Sequence, residues 1–139
     1  MNDRRIDGFF YGLFMDVSVL GKSGVAPVDL RRAYVDDFAL CIGNRATLVP
    51  STGARSYGML IALTRGELER LYGAPGLNQY RPEAVLAHCL DGGSVPALCY
   101  NLLAEPRAGE RNSNYAMQLQ KVLGDLGFPV EYVNSVASV

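Results

Sequence analysis

Two groups of residues in this chain of 139 are of types that do chemistry. The first is Cys41, Cys89 and Cys99 together with the single histidine, His88. A zinc or redox centre needs thiols at C-x-x-C spacing or a compact cysteine–histidine cluster, and the sequence has neither pattern. His88 and Cys89 are neighbours, so on a strand they point to opposite faces, which disfavours a nucleophile–base pair. The cysteines read as small packed hydrophobes. The second group is the turn inside FFYGLFMD, residues 9–16, where strand formers run directly into Gly12. A glycine there can take positive φ and removes the side chain that keeps a ligand from the backbone, and successive N–H groups can then converge on an anion. A plain bend whose Leu13, Phe14 and Met15 only plug the core is the alternative. The Tyr-Gly pair alone does not choose between them.

The elements that must position this turn follow from periodicity and punctuation. Residues 6–11 read as a strand ending at Gly12, and 15–20 as a short helical turn before Gly21, Lys22, Ser23, Gly24 and Pro27 break the pattern. Strands are expected over 34–42 and 46–49, separated by Gly43 and Asn44, with a loop over 50–53. The apolar run 57–63 suits a strand covered on both faces. Thr64 and Glu67 then form a capping box opening a helix over 65–72, with Gly73 as its left-handed stop. EAVLAHCL and VPALCYNLL flank Asp-Gly-Gly-Ser and read as an antiparallel hairpin. Tyr115, Leu119, Val122, Leu123 and Leu126 recur at helical steps before Gly127 and Pro129. The expected architecture is α+β in a single domain over 1–139, with a curved or barrel-like mixed sheet and two main helices.

Composition narrows the function. Hydrophobic residues make up 49% and charged residues 19%, as in an ordinary globular protein. Thirteen basic and fourteen acidic side chains leave a formal charge of −1, too weak a field to gather phosphate backbones or anionic lipid. No nucleic-acid or membrane partner is expected. No apolar run approaches the ~20 residues needed to cross a bilayer, and the N-terminal stretch has no signal-peptide pattern, so the expected compartment is the cytoplasm.

Four stretches, in order, resemble the γ-glutamylcyclotransferase-like superfamily. FFYGLFM is similar to its strand-then-loop signature at Tyr11, Gly12 and Met15, with Leu13 where the family carries a hydroxyl residue. Residues 43–72 resemble its middle strand and helix, and YRPEAV, residues 80–85, its Tyr-x-Arg-x-x-Val strand. NYAMQLQKVLGDLGFPVEY, residues 114–132, is similar to its closing helix with the Gly-Leu-Pro and Glu-Tyr that follow.

The resemblance implies release of 5-oxoproline from a small γ-glutamyl amide, the α-amino nitrogen attacking its own γ-carbonyl, with no cofactor. Intramolecular attack supplies an effective molarity that can reach about 10⁵ M, so the protein must chiefly hold the attack pose. Proton transfer and oxyanion stabilisation remain. By resemblance, Tyr11, Gly12, Leu13, Phe14 and Met15 form the substrate-holding loop and Tyr115 closes the pocket. The family's catalytic glutamate follows the middle helix in a Leu-Asp-x-x-Glu pattern. Here that stretch is Leu71-Tyr72-Gly73-Ala74-Pro75, and proline cannot transfer a proton. Glu83 is the nearest replacement acid, although a charged residue on a strand usually faces water. The alternative is a catalytically lapsed protein that binds a small metabolite on the same fold. A homodimer burying Phe9, Phe14 or Phe128 at a subunit contact is a further expectation.

Overall fold

A computed structural model describes residues 4–73 and 77–137. The chain runs through β1 (Arg5–Phe10), a 3-10 turn (Leu13–Met15), α1 (Val17–Lys22), β2 (Val28–Ile42), β3 (Ala46–Thr64), α2 (Arg65–Tyr72), β4 (Tyr80–Cys89), β5 (Ser94–Leu102), α3 (Ser113–Asp125) and α4 (Val130–Ser135). The strands close into a barrel in the order β1-β3-β2-β4-β5. Neighbours are antiparallel except β1 and β5, which meet in parallel at Gly8 and Leu98. This is the expected α+β, barrel-like mixed sheet.

The barrel is organised around β3, which pairs with β1 on one edge and β2 on the other. Its run Met59–Leu63 is buried throughout, as a strand covered on both faces requires. Phe9, Leu71, Leu119 and Leu123 join it in the core. The capping box forms in full: Thr64 Oγ1 accepts from Glu67 N at 3.1 Å and Glu67 Oε1 accepts from Thr64 N at 2.9 Å. The 89–94 hairpin and the stop of α3 at Gly127, φ +81, also fall where expected.

Four expectations need correction. Residues 50–53 are not a loop: β3 is continuous, and the irregularity is a bulge in which residues 51–54 face only Asp37. Asp37 takes φ 65, and its Oδ1 accepts from Gly53 N at 2.9 Å. A second bulge at Asp29, φ 60, lies in the part of β2 before residue 34, which charge and exposure hid from pattern reading. Gly73 is not left-handed; its φ is −87, and a side chain there would press on Glu69 O at 2.7 Å. Close approach, rather than positive φ, is what glycine supplies. Finally, α4 follows Pro129, too short for a periodic signal and held by Gln120 Nε2 donating to Val133 O and Val136 O. Pro75, where the family's acid would stand, lies outside the described residues.

Candidate ligand-binding site

Where β1 ends, the chain passes through Tyr11 and Gly12 into the 3-10 turn, and a cavity of about 350 Å³ opens beside it. Gly12 has φ −112, so the positive φ expected of it is not used. Its missing side chain is. A Cβ at Gly12 would land on the hydroxyl of Tyr115, well inside van der Waals contact. Tyr115 reaches this point because Asn112 caps α3, Asn112 Oδ1 accepting from Tyr115 N at 3.1 Å.

The turn's own amides divide in two. Leu13 N donates to Tyr115 Oη at 3.2 Å, and Met15 N to Gly12 O at 3.0 Å. Gly12 N and Phe14 N have no acceptor among the described residues, because a 3-10 turn leaves its first donors unpaired. Both residues line the cavity. The expectation of bare main-chain nitrogens beside a hollow is therefore met at two positions and corrected at Leu13.

Around this turn the wall is aromatic. Tyr72 from α2 stacks on Tyr100 from β5, centroids 3.9 Å apart and planes 6° from parallel. Phe14 meets Tyr72 edge-on at 5.8 Å, and Phe10 meets Phe14 edge-on at 6.2 Å. Tyr11 Oη donates to Tyr100 O at 2.7 Å, and Tyr80 Oη donates to Ala46 O. Burial pushes the phenols of Tyr11, Tyr72, Tyr80 and Tyr115 above the ordinary tyrosine value, so each is a neutral donor and a poor base. Tyr115 Oη accepts from Leu13 N, which leaves its own proton for a ligand oxygen. Asn44, Arg45 and Asn112 form the polar part of the lining.

Of the residues singled out in the sequence, Tyr11, Gly12, Leu13, Phe14 and Tyr115 line this cavity. Met15 does not: it is 1% exposed and belongs to the core. Glu83 does not line it either. It sits opposite Cys99 in the β4–β5 hairpin, and its Oε1 accepts from Asn101 Nδ2 at 2.7 Å. No carboxylate lines the cavity among the described residues. Phe9 and Phe128 are buried within the chain, and Phe14 is half-buried and lines the cavity. The three cysteines are unbridged, and no cluster of three metal-ligating side chains occurs among the described residues. His88 turns its Nδ1 to Ser94 Oγ at 2.8 Å and packs on Tyr34. Sequence reading missed Tyr72, Tyr100, Asn44, Arg45 and Asn112 as lining. The one available signal was eight tyrosines without a tryptophan, since tyrosine joins an apolar body to a polar tip.

Glu110 holds the mouth of the cavity in place. Its Oε1 accepts from Asn44 N at 3.0 Å and its Oε2 from Arg107 N at 2.9 Å. These bonds hold its carboxyl below the usual glutamate value. A depressed folded pKa contributes stability that is fully present above the unfolded value of about 4.3 and lost as pH falls through the folded one. Glu110→Gln should therefore flatten the fall in thermal midpoint below about pH 4.3, read from melts taken down to about pH 3. An acid limb as steep as in the unaltered protein would contradict this.

No protein-family model matches the chain. No curated protein matches its sequence. Solved structures do match: one described as a gamma-glutamyl cyclotransferase superimposes with TM-score 0.80 at 18% identity, over 97% of this chain and 89% of that one. The chain has the γ-glutamylcyclotransferase-like fold. An uncharacterised protein from Homo sapiens superimposes with TM-score 0.77 at 19% identity, over 98% of this chain and 90% of that one. YkqA from Bacillus subtilis gives TM-score 0.76 at 21% identity over 97% of this chain, which spans 56% of that longer protein. At such identities the likeness is one of fold. In this chain the Tyr11–Gly12 turn, the α3 tyrosine and the aromatic wall shape the pocket. No helix among the described residues is long and apolar enough to cross a membrane.

Proposed function

We propose that this chain binds a small γ-glutamyl-type amide in the cavity beside Tyr11 and Gly12 and does not cyclise it. The observation that carries the reading is a cavity with donors and, among the described residues, no base. Gly12 N, Phe14 N and the Tyr115 hydroxyl can grip an acyl or carboxylate oxygen. The raised phenols cannot take a proton from an α-ammonium near neutral pH. Residues 74–76, Ala-Pro-Gly, bring no acid in sequence, and Glu83 is engaged with Asn101 away from the cavity wall. The γ-glutamyl chemistry of the ligand rests on the fold and on the matched Tyr-Gly turn. The three unbridged cysteines accord with the reducing cytoplasm as its compartment.

The test is a thermal-shift panel of γ-glutamyl amides run beside an assay for released 5-oxoproline. A true ligand at a hundred times its Kd should stabilise the protein by about 2.7 kcal/mol, with no 5-oxoproline above background. Product that disappears in Glu83→Gln would replace this reading with the enzymatic one. No shift with any compound would remove both.

A further inference from the structure

A second cavity, of about 690 Å³, lies next to the first, and the two share Asn44 and Arg45 in their walls. Arg81 and Arg107 also line it, as do Glu105 and Glu110. Three guanidiniums face two carboxylates there, an excess of one positive charge. Glu110 spends both its oxygens on main-chain N–H groups, and Arg81 Nη1 donates to the carbonyls of Asn78 at 2.6 Å and Tyr80 at 3.0 Å. Among the described residues, none of Arg45, Arg81 and Arg107 has a carboxylate within ion-pair distance. Arg81 and Arg107 are exposed, so water screens them. Arg45 is half-buried against the aromatic wall, where a cation without a counter-ion interacts most strongly with an arriving anion.

We propose that Arg45 determines specificity: it pairs with a carboxylate carried on the part of the ligand that points away from the Tyr11–Gly12 turn, at the junction of the two cavities. Near the turn, the acyl end already has Gly12 N, Phe14 N and the Tyr115 hydroxyl. Arg45 borders the second cavity, so a ligand reaching it from the turn presents its distal, amine-side end. A planar guanidinium can grip a carboxylate with two parallel bonds, which selects charge and orientation together. This inference rests on the ligand reading above and adds which amides are taken.

Three amides of matched length test it: γ-glutamylglycine, its neutral glycinamide counterpart, and the aminoethyl amide ending in an ammonium. Their dissociation constants are measured by calorimetry with the unaltered protein and with Arg45→Met and Arg45→Lys. The carboxylate compound should bind about tenfold more tightly than the neutral one, with the ammonium compound weakest. That ratio should fall to near one in Arg45→Met and be partly kept in Arg45→Lys, which retains the charge without the fork. Equal binding of all three to the unaltered protein overturns the proposal. So does an unchanged ratio in Arg45→Met, which places Arg45 on the glutamyl end that the probes share or away from the ligand altogether. Binding by none of the three overturns the ligand reading itself, an outcome separate from a lost preference.

Discussion

Gly12→Ala is expected to abolish ligand binding and to destabilise the fold by about 1–3 kcal/mol, the usual cost of forcing a methyl into a packed site. The new Cβ would fall on the Tyr115 hydroxyl. That hydroxyl cannot swing clear cheaply, because it accepts from Leu13 N and its ring is packed against the core at the start of α3. Either the turn lifts or α3 tilts, and both move the free amides of Gly12 and Phe14 away from the cavity. The mechanism has a signature of its own. Tyr115 Cζ would be 3.6 Å from the added Cβ, an ordinary contact, so only the oxygen is in the way. In a Tyr115→Phe background, Gly12→Ala should therefore cost little further stability, giving a coupling energy above about 1 kcal/mol in a double-mutant cycle by denaturant melts. Additive costs would show that the glycine is needed for some other reason.

Gly58→Ala should be the most damaging single methyl for stability, at about 3 kcal/mol and a fall of roughly 10 °C in Tm. A Cβ there would meet the carbonyl oxygen of Phe10 and approach the Phe9 ring to 2.8 Å. A backbone atom cannot rotate away as a side-chain tip can. Gly58 lies in β3 beside Met59, which pairs with Phe10, so the methyl pushes the end of β1 off the strand that carries it. Because Tyr11 and Gly12 follow at once, binding should weaken together with stability. A loss under about 1 kcal/mol by thermal or denaturant melts would mean that β1 can shift without cost.

How much of this was legible in the sequence depended on whether the signal was local. The Thr64–Glu67 box, the Asp-Gly hairpin and Gly127 are set by neighbours in sequence, and each formed where the pattern placed it. Residues 50–53 misled because Pro, Ser and Gly punctuate loops and bulges alike, and the partner that keeps them in the sheet, Asp37, lies on another strand. The turn at Gly12 was legible as a glycine after a strand. The reason for that glycine, a tyrosine oxygen 103 residues further on, is tertiary and was not. The aromatic wall was hidden for the same reason, since Tyr72, Tyr80 and Tyr100 come together only when α2 packs beside the β4–β5 hairpin.

The most direct measurement is a titration of the ¹⁵N-labelled protein with γ-glutamylglycine, followed amide by amide. The account predicts saturable shifts centred on Gly12 and Phe14, with Glu83 and its β4 neighbours unmoved. Saturable shifts centred on β4, or none at the turn when the compound is in large excess over the protein, would contradict it.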